Sequence, residues 1–188
     1  MNSSEVLDVF RKTNALLDGH FILRSGRHSR QFFQCAKALQ QMPTVEKLGK
    51  ALMEKFLPAQ PDTVLAPAMG GLVIGQEVAR QFGCRFIFLE KVDGVLELRR
   101  GFSMEEGEKV LIVEDVVTRG GRVTETINIA RHHQADILGA AILVDRSNGE
   151  VDPGIPIFSL IRMKVETFSP DNLPEDLKAI PTMKPGSS

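Results

Sequence analysis

A chain of 188 residues that is 43% hydrophobic and 25% charged can form one soluble domain with a real core and needs no disulfides. Its formal net charge of −1 excludes a global basic field, so no nucleic-acid partner is expected and any anionic ligand must be held by local arrangement. No apolar run approaches the ~20 residues that cross a bilayer, the start lacks a signal-peptide core, and Cys35 and Cys84 lack metal or redox spacing. A cytoplasmic protein with reduced thiols and no membrane contact is therefore expected.

Taken in chain order, Asn2 and Glu5 have the spacing of a helix capping box. Val6, Val9, Phe10, Leu16 and Leu17 continue that helix, and Gly19 stops it. Residues 21–23 and 31–35 read as strands around a Ser25-Gly26 turn. Thr44 is placed to cap a second helix with the stripe Val45, Leu48, Leu52 and Phe56, ended by Pro58 and Pro61. An alternation of apolar strands and helices follows. Strands are expected at 63–66, 85–89, 109–113 and 137–144, with helices from Gly70-Gly71 to Phe82 and from about Arg122 to His133. This rhythm predicts an α/β domain built on a mostly parallel sheet flanked by helices. Residues 91–108, with Asp93-Gly94 and Arg99-Arg100-Gly101, read as a hairpin or mobile loop. The proline-rich tail, about 153–188, is expected to be irregular. His132 and His133 are adjacent on a helix, point about 100° apart and cannot chelate one ion together.

The chemistry concentrates in Glu114-Asp115-Val116-Val117-Thr118-Arg119-Gly120-Gly121-Arg122, which follows a buried strand and leads into a helix. A helix N-terminus offers free N–H groups and a favourable dipole to a phosphate. Gly120 and Gly121 allow close backbone approach, and the Thr118 hydroxyl adds a donor. Two carboxylates beside a phosphate site make sense if they face sugar hydroxyls, as in a ribose 5-phosphate. The segment resembles the signature of type I phosphoribosyltransferases, which bind 5-phosphoribosyl 1-diphosphate (PRPP). The Gly-Lys-Ser/Thr ending of a P-loop is absent.

Further segments resemble the orotate-specific branch of that family, so the likeness covers most of the chain. The run from Gly19 to Ser29 is similar to its small N-terminal hood, about residues 18–36, with Arg24 where many members have a PRPP-contacting lysine. Phe32 and Phe33 stand on the strand that lines the orotate pocket in that branch; core packing is the plain alternative for either ring. Met69, Gly70 and Gly71 match the diphosphate loop, with glycine where many members carry lysine, so backbone contacts are expected there. Arg146 matches the arginine for the orotate carboxylate; an ion pair with Asp145 is the structural alternative. Lys91 fits one basic position of the catalytic loop. The loop histidine is missing, and Arg99 and Arg100 are candidates to take over diphosphate binding. The resemblance implies a single-domain homodimer, with Glu114, Asp115 and Lys91 as catalytic residues and Thr118 and Arg146 beside the base. It also implies Mg²⁺ as cofactor, held mainly by PRPP rather than by protein ligands. The alternatives are a phosphoribosyltransferase for another base and a non-catalytic PRPP-sensing regulator.

Overall fold

The computed structural model describes residues 1–23, 25–57, 59–147 and 149–185. Helix α1 (Ser3–Lys12) opens on the Asn2/Glu5 capping box and buries Val6 and Phe10. It ends at Lys12, well before Gly19. The Thr13 hydroxyl donates back to the Val9 carbonyl at 2.8 Å, and Asn14 takes a left-handed conformation with φ 55°. Leu16 and Leu17 therefore belong to strand β1 (Leu16–Ile22), and Gly19 lies inside that strand, where the pairing register shifts. Strand β2 (His28–Phe33) runs antiparallel to β1 and starts three residues earlier than the sequence suggests. Gln34 and Cys35 leave the sheet and lead into the short helix α2 (Ala36–Leu39). Helix α3 (Met42–Phe56) starts behind Gln41, so Thr44 sits inside its first turn instead of capping it. Its last residue, Phe56, is followed by an extended Leu57, the conformation that a following proline imposes.

The central sheet contains β3 (Thr63–Pro67), β4 (Arg85–Val92), β5 (Val95–Leu98), β6 (Lys109–Val117), β7 (Asp136–Asp145) and β8 (Ile157–Arg162), in the order β5-β4-β3-β6-β7-β8. All neighbours are parallel except β4 and β5. Helix α4 (Gly70–Phe82), closed by left-handed Gly83, links β3 to β4, and α5 (Gly121–His132) links β6 to β7. Alternate strand residues serve two cores. Val64, Leu111 and Val113 pack with α1, α3 and α4, while Leu65, Ile112 and Ile142 pack with Val123 and Ile127 of α5. The chain goes from β3 to β4 on one side, and β6 takes the other side. The sheet thus reverses direction between β3 and β6, the place where open α/β sheets bind ligands.

Of the two readings of the segment after Lys91, a hairpin or a mobile loop, residues 91–98 adopt the hairpin: β4 extends to Val92, and Asp93 (φ 49°) and Gly94 (φ 94°) make a two-residue turn. The tail is not irregular. Its β8 is an edge strand of the central sheet, and it continues through β9 (Thr167–Phe168), a 3₁₀ turn (Pro170–Asn172), α6 (Glu175–Lys178) and β10 (Thr182–Met183). The prolines that suggested disorder fall between these pieces or at their first residue. Strands β9 and β10 flank β1 and β2 in a second sheet of order β10-β1-β2-β9, so the hood is built from both ends of the chain.

Candidate active site

At the reversal point lies an open cavity of about 930 Å³. Its walls come from the turn after β3 (Ala68, Met69, Gly70), Lys91 on β4, Glu114 to Val117 on β6, Thr118, Gly120, Gly121 and Arg122 at the start of α5, and α2 with Gln34 and Gln40. Segments as distant in sequence as Gln34 and Val123 meet here, where parallel strands deliver their carboxyl ends to one edge.

Strand β6 runs through Val117, so the two acidic residues are part of the strand rather than of the loop beyond it. Each carboxylate accepts from the next backbone N–H: Glu114 Oε1 from Asp115 at 3.0 Å, and Asp115 Oδ1 from Val116 at 2.7 Å. Glu114 is only 2% exposed, and its Oε2 has no hydrogen-bond partner. Burial, reinforced by the adjacent Asp115, pushes its carboxyl up to about 9. Burial thus favours the protonated form of Glu114, and half-exposed Asp115 is the more accessible carboxyl on the cavity wall.

The glycines have separate reasons. A Cβ at Gly70 would lie 2.5 Å from Asp115 Oδ1, so glycine lets that carboxylate rest against the turn after β3. A Cβ at Gly71 would lie 2.7 Å from the Val113 carbonyl, which fixes the close seating of α4 on β6. The Ala68–Met69 peptide that precedes them is cis. Gly120 precedes α5 in a left-handed conformation (φ 76°), and Val151 fills the space where its Cβ would stand. Gly121 has open space around it, so the first turn of α5, with its N–H groups free of intrahelical acceptors, can be approached closely. Thr118 and Arg119 are exposed in the loop before it, and Arg122 reaches the Ala68 carbonyl at 3.4 Å across the cavity mouth.

Arg146 follows β7. The alternative of an ion pair with Asp145 does not hold: Asp145 is engaged by Arg162 at 3.0 Å and by the Ser147 hydroxyl at 2.6 Å. The Arg146 Nε is buried without a hydrogen-bond partner, its guanidinium lies 5.7 Å from the Phe33 ring centre, and burial lowers its pKa. Phe33 is a core residue, edge-on to Phe10 at 6.0 Å, while Phe32 packs on Phe21 in the hood at 5.7 Å. Neither ring lines the cavity, whose hood-side wall is Gln34 and α2. Gln34 belongs to the 31–35 run that resembles the pocket-lining strand, while α2 and Gln40 went unnoticed because no local pattern marks a short helix that follows a strand.

Lys91 lines the cavity from its place on β4. Arg100 does not: it clamps the hairpin through Glu90, at 2.7 and 3.1 Å, and lies over Phe88. Arg99 is exposed on the same turn and away from the cavity walls. Arg24 lies outside the described residues. Among the described residues no cluster of three His, Cys, Asp or Glu could hold a metal ion, and no helix is long and apolar enough to cross a membrane.

The chain matches the family "Phosphoribosyl transferase domain" over residues 36–171. It is 46% identical over 187 residues to an orotate phosphoribosyltransferase of Caldicellulosiruptor bescii, covering 100% of this chain and 98% of that one. It is also 46% identical over 190 residues to one of Rhizorhabdus wittichii, covering 100% and 97%. Among solved structures it resembles orotate phosphoribosyltransferase from Aeropyrum pernix, with a TM-score of 0.74 at 22% identity over 84% of this chain and 93% of that chain. Adenine phosphoribosyltransferase from Thermoanaerobacter pseudethanolicus shares the fold, with a TM-score of 0.63 at 19% identity over 71% and 88%.

Proposed function

Because the chain belongs to the phosphoribosyltransferase family, among relatives that are orotate phosphoribosyltransferases, we propose that it transfers the ribose 5-phosphate of PRPP to orotate. The products are orotidine 5′-phosphate and diphosphate. The observation that carries this reading is one cavity in which a carboxylate, a glycine-lined helix N-terminus and a lysine converge at the strand reversal.

The ester phosphate of PRPP sits at the start of α5, on Thr118, Gly120, Gly121 and the first-turn N–H groups, where the helix dipole favours an anion. Asp115 orients the ribose hydroxyls, and its charge favours the cationic sugar that forms as the bond to diphosphate breaks. Orotate N1 loses its proton to solvent or to the departing diphosphate as it forms the new bond at the anomeric carbon, and the electrons of the broken carbon–oxygen bond leave with the diphosphate. Gly70 and Gly71 offer backbone contacts to that leaving group, and Lys91 supplies its positive charge. Magnesium would be carried by the diphosphate, with half-exposed Asp115 as the nearby carboxylate available to it, and would supply charge neutralisation to the leaving group. Glu114, buried and favouring its protonated form, donates or accepts a hydrogen bond to the sugar.

Arg146 lies behind the cavity walls, next to Phe33, and its role in favouring orotate over a neutral base rests on the family resemblance and on its unpartnered nitrogen. A guanidinium with a buried nitrogen lacking a partner suits a planar carboxylate, which adenine, hypoxanthine and uracil lack. A homodimer in the cytoplasm completes the reading. Exposed Met69 and Val73 at the cavity mouth supply apolar surface for a second subunit. The test is base consumption with PRPP and Mg²⁺, with orotate, adenine, hypoxanthine and uracil in parallel. Orotate alone should turn over. Turnover of another base overturns the role of Arg146, and PRPP binding without any turnover favours a regulatory protein.

A further inference from the structure

The hairpin β4–β5 carries Lys91 into the cavity, yet β5 is the edge of the central sheet. An edge strand leaves every second N–H without a ladder partner. The internal clamp, Arg100 to Glu90, joins the hairpin to itself and fixes it to nothing else. A hydrogen bond from β5 also reaches the neighbouring helix. The Leu96 N–H of β5 donates to Glu125 Oε1 at 2.6 Å, and Glu125 stands on α5, one turn beyond Gly121. Leu96 is 4% exposed and packs in the same core as Val123 and Ile127 of α5. It is also the residue that pairs directly opposite Lys91 in the hairpin register.

We propose that Glu125 is a positioning residue that ties the hairpin to the phosphate-holding helix and so sets Lys91 at its place against the leaving diphosphate. This rests on the phosphoribosyl-transfer reading for the role of Lys91, while the tie itself is independent of it. The logic is preorganisation. A charge that stabilises a leaving group acts at full strength only if it is already in position when the bond breaks. A hydrogen bond from a backbone N–H to a carboxylate is stronger than a neutral one, and it holds the strand at the position facing Lys91. The groove of about 520 Å³ between hairpin and helix, lined by Val95, Leu96, Thr124, Glu125 and Ile129, leaves room for the strand to shift once the tie is cut.

Two measurements on the full chain test this. The first is hydrogen–deuterium exchange over residues 92–98. Glu125→Ala should speed exchange of the Leu96 amide about tenfold and leave the rest of the central sheet unchanged, while Glu125→Gln, whose amide oxygen accepts the same N–H, should stay near wild type. Unchanged exchange in Glu125→Ala overturns the inference whatever the enzyme does. The second is a double-mutant cycle on steady-state rates. Glu125→Ala should lower kcat/KM for PRPP about tenfold with the KM for orotate nearly unmoved, Glu125→Gln should recover most of it, and in a Lys91→Ala background Glu125→Ala should cost little more. An undiminished penalty in that background, or an equal loss toward orotate, overturns the positioning role. A wild-type protein that turns over neither substrate overturns the transfer reading, a failure that the exchange measurement keeps separate from failure of the tie.

Discussion

Glu114 and Gly70 illustrate how neighbouring atoms change what a residue letter means. With its carboxyl pushed up to about 9 against an ordinary 4.5, native Glu114 keeps a proton that the unfolded chain has released. Stability should therefore be fullest below about pH 4.5 for this group, and decline as pH rises to about 9. Glu114→Gln cannot titrate. Its melting temperature should equal wild type near pH 5 and exceed it by about 3 °C or more near pH 8.5 in a melting series, while kcat falls because the sugar loses a fitted partner. Gly70→Ala acts through space: a Cβ 2.5 Å from Asp115 Oδ1 forces that carboxylate aside. Its kcat/KM for PRPP should drop about tenfold with little change in melting temperature, since the displaced carboxylate can turn toward solvent. The sequence singled out both residues as candidates, and the structure places both on the wall of one cavity. The raised pKa of Glu114 was not legible, because it depends on burial that only the folded chain creates.

The hairpin decides how the basic residues between Lys91 and Arg100 divide their work. All three basic side chains looked alike as candidates for the diphosphate. Pairing sorts them: Lys91 falls on the face that lines the cavity, Arg100 falls beyond β5 on Glu90, and Arg99 projects to solvent. Lys91→Ala should lower kcat about 10²-fold, as loss of a charge aimed at a developing anion does. Arg100→Ala breaks an exposed pair that stabilises little, and its kcat should stay within about threefold of wild type. Parallel kinetics of the two variants check this, and an equal loss in both would return Arg100 to the diphosphate site. The Asp93-Gly94 turn was visible in the sequence, but which side of each strand faces the cavity follows from register.

The two ends of the chain meet in the hood. Arg30 pairs with Asp176 at 2.8 Å and Glu166 at 3.0 Å, His20 contacts the Ile180 carbonyl at 3.0 Å, and Leu177 is fully buried. The tail thus serves as the outer strands and the filling of a sheet begun by β1 and β2. Leu177→Ala should destabilise this unit by about 2–3 kcal/mol. Hydrogen exchange should then rise in β1, β2 and β10 while β3, β6 and β7 stay protected, because Leu177 belongs to neither of the two cores that cover the central sheet. Equal loss of protection across both sheets would show that hood and central sheet unfold as one unit.

The sequence by itself determined the alternating strands and helices, the Asn2/Glu5 cap, the Gly83 stop, and the strand–loop–helix from Val110 through Arg122. These are local: periodicity, left-handed glycines and capping atoms act within a few residues of one another. Only the tertiary structure decided the rest. Strands β9 and β10 have two residues each and exist because β1 and β2 offer edges more than a hundred positions away. Arg146 keeps a nitrogen without a partner because Arg162, brought alongside by β8, takes Asp145 first. Phe33 turns into the core because Phe10 waits there. In each case the deciding partner is distant in the chain, so the outcome belongs to packing and pairing and not to any local pattern.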